Sequence, residues 1–150
     1  VLTPDFRGCQ QLALENMRAA IGTGGELVWG HNVETVPSLY KTGRKGAKYE
    51  RSLRLLELAA AETNMEAKSS LMLGLGERFD EVIAVMRDLR AVGVERLALG
   101  QYLRPTRYHL PVKEYVTPER FAEYETAAQE LGFSWVKAGA MVRSSYHAEE

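Results

Sequence analysis

The 150 residues carry 19 Lys and Arg against 20 Asp and Glu, with 45% hydrophobic and 26% charged content. That balance fits one globular domain with a real core and excludes a global field for nucleic acid or an anionic membrane. A single cysteine, Cys9, excludes an internal disulfide, and no apolar run nears the roughly 18 residues of a membrane span, so a soluble, reducing, cytoplasmic setting is expected.

In chain order, Leu12, Met17, Ala20 and Ile21 predict a first helix ending near Gly22, Thr23, Gly24 and Gly25. Glu26 to Gly30 follows as a short apolar strand. Tyr49, Leu53, Leu56 and Ala60 mark the next helix, and Lys68 to Leu73 the second strand. Phe79, Val82, Ile83, Met86 and Leu89 keep helical spacing, with Gly93 at the C-terminal cap position. Glu95 to Gly100 reads as the third strand. Thr117-Pro118-Glu119 supplies a cap, a first-turn proline and a first-turn acid ahead of Phe121, Tyr124, Ala128 and Leu131, with Gly132 as the stop. Phe133 to Ala138 is the fourth strand.

Strands alternating with helices imply right-handed crossovers and a parallel sheet, either doubly wound or part of a barrel. About four or five strands cannot close a barrel, so a half barrel is expected, its open edges available to further sequence or a second copy. No signal peptide is visible, and the start at Val1 without a methionine predicts a partial sequence.

Four polar segments fall at or just after strand ends, where parallel α/β folds build sites. His31-Asn32-Val33-Glu34 offers an imidazole, an amide and a carboxylate suited to ribose hydroxyls or an ammonium; a helix cap around Asn32 or Thr35 explains it as well. Gly74-Leu75-Gly76-Glu77 opens a helix and permits close backbone approach, which suits a ligand or a plain tight turn. Gln101-Tyr102-Leu103-Arg104 begins a long polar loop running to Val112, more elaborate than a connection requires. Arg143-Ser144-Ser145 follows the last strand, and on its own Ser145 reads as a turn serine. Lys41, Arg44, Lys45 and Lys48 form a basic loop around Gly43 and Gly46, a pattern that is usually solvated surface. Cys9 lacks a third orienting residue for nucleophilic chemistry with His31, and a histidine at a strand end is more often a structural hydrogen-bonder than a ligand or base.

Together these segments resemble the C-terminal half of the lipoyl synthases, iron-sulfur enzymes of the radical S-adenosylmethionine superfamily, over essentially all 150 residues. Gly100 to Val112 and Val142 to Ala148 are the most specific stretches. The resemblance implies a parallel-stranded partial (βα) barrel, present as roughly half, with the half that carries the cluster cysteines lying elsewhere. It implies radical insertion of two sulfur atoms at C6 and C8 of a protein-bound octanoyl group, the sulfur coming from an auxiliary 4Fe-4S cluster while a second cluster and S-adenosylmethionine generate the radical. By the same likeness Asn32 and Glu34 contact the cofactor. Gly74 and Glu77 match an adenine-side pattern from which Ser70 and Met72 depart, and Lys68 and Gln101 complete the cofactor-binding set. Ser145 corresponds to an iron ligand of the auxiliary cluster and Arg143 lies beside it, with Ala140 standing where many members carry proline. No catalytic residue is assigned, and Tyr102, Arg104, Arg107 and His109 receive no individual roles. Implied partners are an octanoylated lipoyl carrier domain, whose acidic face suits the basic loop, and an electron donor such as ferredoxin or flavodoxin. One cysteine cannot hold either cluster, so this chain alone is expected to be inactive. The rival readings are a phosphate-binding α/β barrel enzyme using the Gly74 turn and a non-catalytic half-barrel dimer.

Overall fold

The computed structural model describes residues 1–145. Four strands form one sheet in the order β1-β2-β3-β4: β1 Leu27–Gly30, β2 Met65–Leu73, β3 Arg96–Gln101 and β4 Trp135–Gly139. Every pairing is parallel, with Trp29 opposite Ala67, Ser70 opposite Ala98 and Leu97 opposite Val136. Sequential order with a helix at each crossover is the arrangement of a partial (βα) barrel. Among the described residues no helix is long and apolar enough to cross a membrane.

The helices are α1 Gln10–Ile21, the short α2 Tyr40–Gly43, α3 Tyr49–Ala60, α4 Phe79–Ala91 and α5 Pro118–Glu130. Their buried stripes meet the strand residues of one parity, including Trp29, Ala67, Leu71, Leu97 and Leu99, in a single apolar core. At α5 the Thr117 hydroxyl accepts from the Arg120 amide at 3.2 Å, the cap its sequence predicts. Gly93 and Gly132 follow α4 and α5 at φ of 90° and 89°, a conformation that favours glycine. The first helix turns differently from its pattern: Leu12 points outward and Ala13 and Leu14 are buried instead. Cys9 sits exposed at the start of α1.

Strand residues of the opposite parity, among them Lys68, Ser70, Ala98, Gly100 and Lys137, form the sheet's other face. Residues outside the four strands reach the sheet at two places. Residues 1–3 pair with the outer edge of β1, Gly30 N donating to Val1 O at 2.7 Å and Thr3 N to Gly30 O at 2.9 Å. After β4 a turn closed by Val142 N to Gly139 O brings residues 142–145 back over the sheet. Gly100 makes that return possible: a Cβ at this position would lie 2.1 Å from Val142 O.

His31 sits where β1 ends, fully enclosed, with Nδ1 2.9 Å from Thr3 O and Nε2 2.8 Å from Ser52 Oγ. Its role is structural. Burial pulls its pKa below the usual histidine value, opposed in part by the Thr3 carbonyl. Because the folded state prefers the neutral ring, this contribution is intact above the unfolded value of about 6.5 and is lost as pH falls through it toward the depressed folded value. Urea midpoints at pH 7.5 and 5.5 are expected to fall on acidification, and His31→Gln to flatten that dependence.

Candidate functional site

The C-terminal ends of β1, β2 and β3 and the returning terminal segment enclose a cleft of about 360 Å³, lined by Asn32, Glu34, Ser70, Met72, Gln101 and Arg143 among others. Beside it a smaller cleft of about 240 Å³ is bounded by Val1, Leu2, Val28, Lys68, Asn32, Ser144 and Ser145. The structure thus gathers Asn32, Glu34, Gln101, Arg143 and Ser145 at one end of the sheet, with Lys68 deeper on its face.

Glu34 is the most distinctive member. Its φ of 67° places a non-glycine residue in the left-handed region, held there by Glu34 N to Ser70 O at 3.0 Å and Met72 N to Glu34 O at 2.7 Å. Such strain persists only where surroundings impose it, and it clusters at ligand sites. Burial raises the carboxyl pKa, while a hydrogen bond from Asn32 and the charge of Arg44 hold it back. The result is a half-buried carboxylate facing a cleft, short of compensating charge.

Arg44 was legible only as part of the basic loop, and the structure corrects that solvated-surface reading. Its guanidinium reaches back to Asn32 O at 3.2 Å, Val33 O at 3.3 Å and the Tyr40 hydroxyl at 3.1 Å, so it positions the Asn32–Glu34 turn. Lys41, Lys45 and Lys48 remain exposed.

The Gly74 loop is closed by its own carboxylate. Glu77 accepts from Gly74 N at 2.6 Å and Leu75 N at 2.9 Å, so the amides that a phosphate would need are already taken. Neither Gly74 nor Glu77 lines the cleft. Gly74 instead admits the long loop: a Cβ there would meet Glu114 O at 2.3 Å and Gln101 Nε2 at 2.4 Å. Gln101, also buried, clamps that loop by donating to Glu114 O at 3.0 Å and accepting from Val116 N at 2.8 Å. Tyr102 adds a bond from its hydroxyl to Leu110 O at 2.9 Å, and Arg104 binds the carbonyls of Arg107 and His109. Gln101 therefore borders the cleft with both polar ends of its amide engaged.

Lys68 is enclosed on the sheet face, its ammonium 4.4 Å from the centre of the Trp135 ring. Trp135 leaves its indole N–H buried without a hydrogen-bond partner among the described residues. Arg143 donates to Ala140 O and Val142 O, bracing the returning segment, and Ser145 stands exposed at the mouth of the smaller cleft. Tyr146 and His147, the rest of that motif, lie outside the described residues.

The donor set decides which groups this chain can hold. Cys9, the chain's one thiol, lines neither cleft, and no group of three His, Cys, Asp or Glu converges among the described residues. A lone serine hydroxyl does not hold an iron-sulfur cluster, so the residues present do not fit one. They do fit a polar organic cation with hydroxyls, through the Glu34 carboxylate, the Asn32 amide and the Ser70 hydroxyl.

No family model matches the chain. Curated proteins do. It is 52% identical to the lipoyl synthase of Thiobacillus denitrificans, the match covering 100% of this chain and 47% of that protein. The lipoyl synthase of Syntrophotalea carbinolica is 50% identical over 99% of this chain and 47% of its own length, and that of Burkholderia mallei 51% over 99% and 44%. The chain spans about half the length of these relatives. By homology along its whole length, the chain belongs with the lipoyl synthases.

Proposed function

We infer that this chain forms the C-terminal half of a lipoyl synthase barrel and supplies one wall of the S-adenosylmethionine site in the whole enzyme. The observation that carries this reading is the convergence of Asn32, Glu34, Ser70 and Arg143 on a single cleft, in a chain about half identical to lipoyl synthases. In the whole enzyme the activity is sulfur insertion at C6 and C8 of an octanoyl group on a lipoyl carrier domain. Reduction comes from a donor such as ferredoxin or flavodoxin, and the setting is cytoplasmic. S-adenosylmethionine, when bound, supplies the adenosyl carbon that abstracts hydrogen from the acyl chain.

The residues of this chain bind and orient. Glu34 offers a carboxylate to the amino-acid ammonium or the ribose hydroxyls, and Asn32 a second polar contact on the same turn. Arg44 fixes that turn through the Asn32 and Val33 carbonyls. Residues 142–144 border the cleft and limit water access. The cysteines that hold the iron-sulfur clusters would come from the other half. The 150 residues alone are expected to show no lipoylation and negligible stoichiometric iron after anaerobic reconstitution.

Glu34→Gln tests the assignment in the full-length protein. A charge-assisted contact contributes about 1.5–3 kcal/mol, so affinity for S-adenosylmethionine or S-adenosylhomocysteine is expected to fall about tenfold to a hundredfold. Stability moves the other way. A raised folded pKa means that ionisation opposes folding, with the penalty growing as pH rises from the ordinary carboxylate range through the raised value. Glu34→Gln is therefore expected to unfold at higher urea than wild type at pH 7. Unchanged affinity for both ligands would remove Glu34 from the site.

A further inference from the structure

Charge is segregated along this nearly neutral chain. Residues 36–48 and 101–113 hold seven of the 19 cations and none of the 20 acids, which leaves the remaining sequence strongly acidic. The fold brings these distant segments together: Leu110 Cδ1 lies 3.6 Å from where a Cβ of Gly43 would stand, and the Tyr102 hydroxyl anchors Leu110 through its carbonyl. Arg44 turns inward, whereas Lys41, Lys45, Lys48, Arg104, Arg107 and Lys113 are exposed and form no ion pair among the described residues. Elsewhere seven arginines are in ion pairs, among them Arg18 with Glu62, Arg51 with Asp5 and Arg96 with Glu66, while Arg7, Arg87 and Arg143 form none among the described residues. Tyr108 projects from the same surface at 82% exposure and Leu103 at 51%, and Leu103 also lines the larger cleft.

We propose that these two segments form one docking surface for an acidic folded domain, which places an acylated lysine at the adjoining cleft. This rests on the lipoyl synthase reading and names the surface that reading needs. Unpaired cations around an exposed tyrosine and leucine make a charged rim with aromatic and apolar anchors, the composition of a transient protein interface. A long polyanion would be repelled by the acidic remainder of the molecule, whereas a domain-sized acidic face meets only the basic rim.

The test uses the full-length protein and two double charge reversals, Lys41→Glu with Lys45→Glu, and Arg107→Glu with Lys113→Glu. Binding is measured by titration calorimetry against an octanoylated acidic carrier domain, against a short octanoyl-lysyl peptide and against duplex RNA. Each reversal is expected to weaken carrier binding about tenfold or more at low salt, with the difference shrinking near 0.5 M salt. Peptide affinity should stay unchanged, and replacing acids on the carrier by lysine should restore binding to the reversed variants. Wild-type carrier affinity in both variants, equal losses for carrier and peptide, or a loss confined to RNA would each overturn the surface. Failure of the wild-type holoenzyme to modify octanoyl-peptide would instead count against the lipoyl synthase reading, and the carrier titrations still decide the surface.

Discussion

Gly100→Ala is expected to open the cleft while leaving the sheet formed. Gly100 lies inside β3, where alanine backbone geometry is ordinary, so the effect comes from space alone: the added methyl would stand 2.1 Å from Val142 O. Either the strand shifts or the returning segment lifts away. The segment is the softer of the two, because it is held by a local turn and by Arg143 binding Ala140 O and Val142 O, whereas β3 is paired along both edges. Tryptic cleavage after Arg143 should quicken about tenfold, and affinity for S-adenosylmethionine in the full-length protein should fall by a similar factor. Overpacking of this kind costs about 1–3 kcal/mol, which should lower the melting temperature by a few degrees without unfolding the domain. Wild-type cleavage and affinity would show that the segment does not cover the site.

Gln101→Ala should produce the larger loss of stability. Its amide ties Glu114 O to Val116 N, and truncation leaves both backbone groups without that partner where Val116 is buried. Each orphaned group costs about 1–3 kcal/mol, so a total near 3 kcal/mol is expected in urea denaturation. Gln101→Glu discriminates the cause. It preserves volume and the acceptor for Val116 N but sets a carboxylate against the Tyr102 and Glu114 carbonyls. If packing alone mattered, Gln101→Glu would be mild; a loss close to that of Gln101→Ala identifies the hydrogen bonds as the cause.

The helices and the parallel sheet were legible because they rest on short-range signals. Thr117, Gly93 and Gly132 punctuate α5 and α4 as their chemistry requires, and apolar runs between them leave few topologies open. The family was legible through the segments after each strand, and the lipoyl synthase relatives agree with it along the whole chain. Side-chain direction was not legible. Glu77 follows a glycine turn whether it faces a ligand or its own amides, and only the three-dimensional loop sends it to Gly74 and Leu75. Arg44 is one of four cations in its segment, and nothing local distinguishes the one that reaches Asn32 from its exposed neighbours. Gln101 acts across 13 to 15 residues of loop, a separation beyond helical or strand periodicity. Leu12 shows the same limit in a helix, since a one-position error in the buried stripe turns it to solvent.

The smaller cleft has Val1 and Leu2 on one side and Ser144 and Ser145 on the other. Its walls are therefore joined only after nearly the entire chain has been ordered, whereas each parallel strand pair closes a much shorter loop. Contacts of such high sequence separation form late and open early. Folding time-courses would thus show the sheet protected from hydrogen exchange before this cleft exists, and gentle denaturation would erase the cleft while the four strands persist.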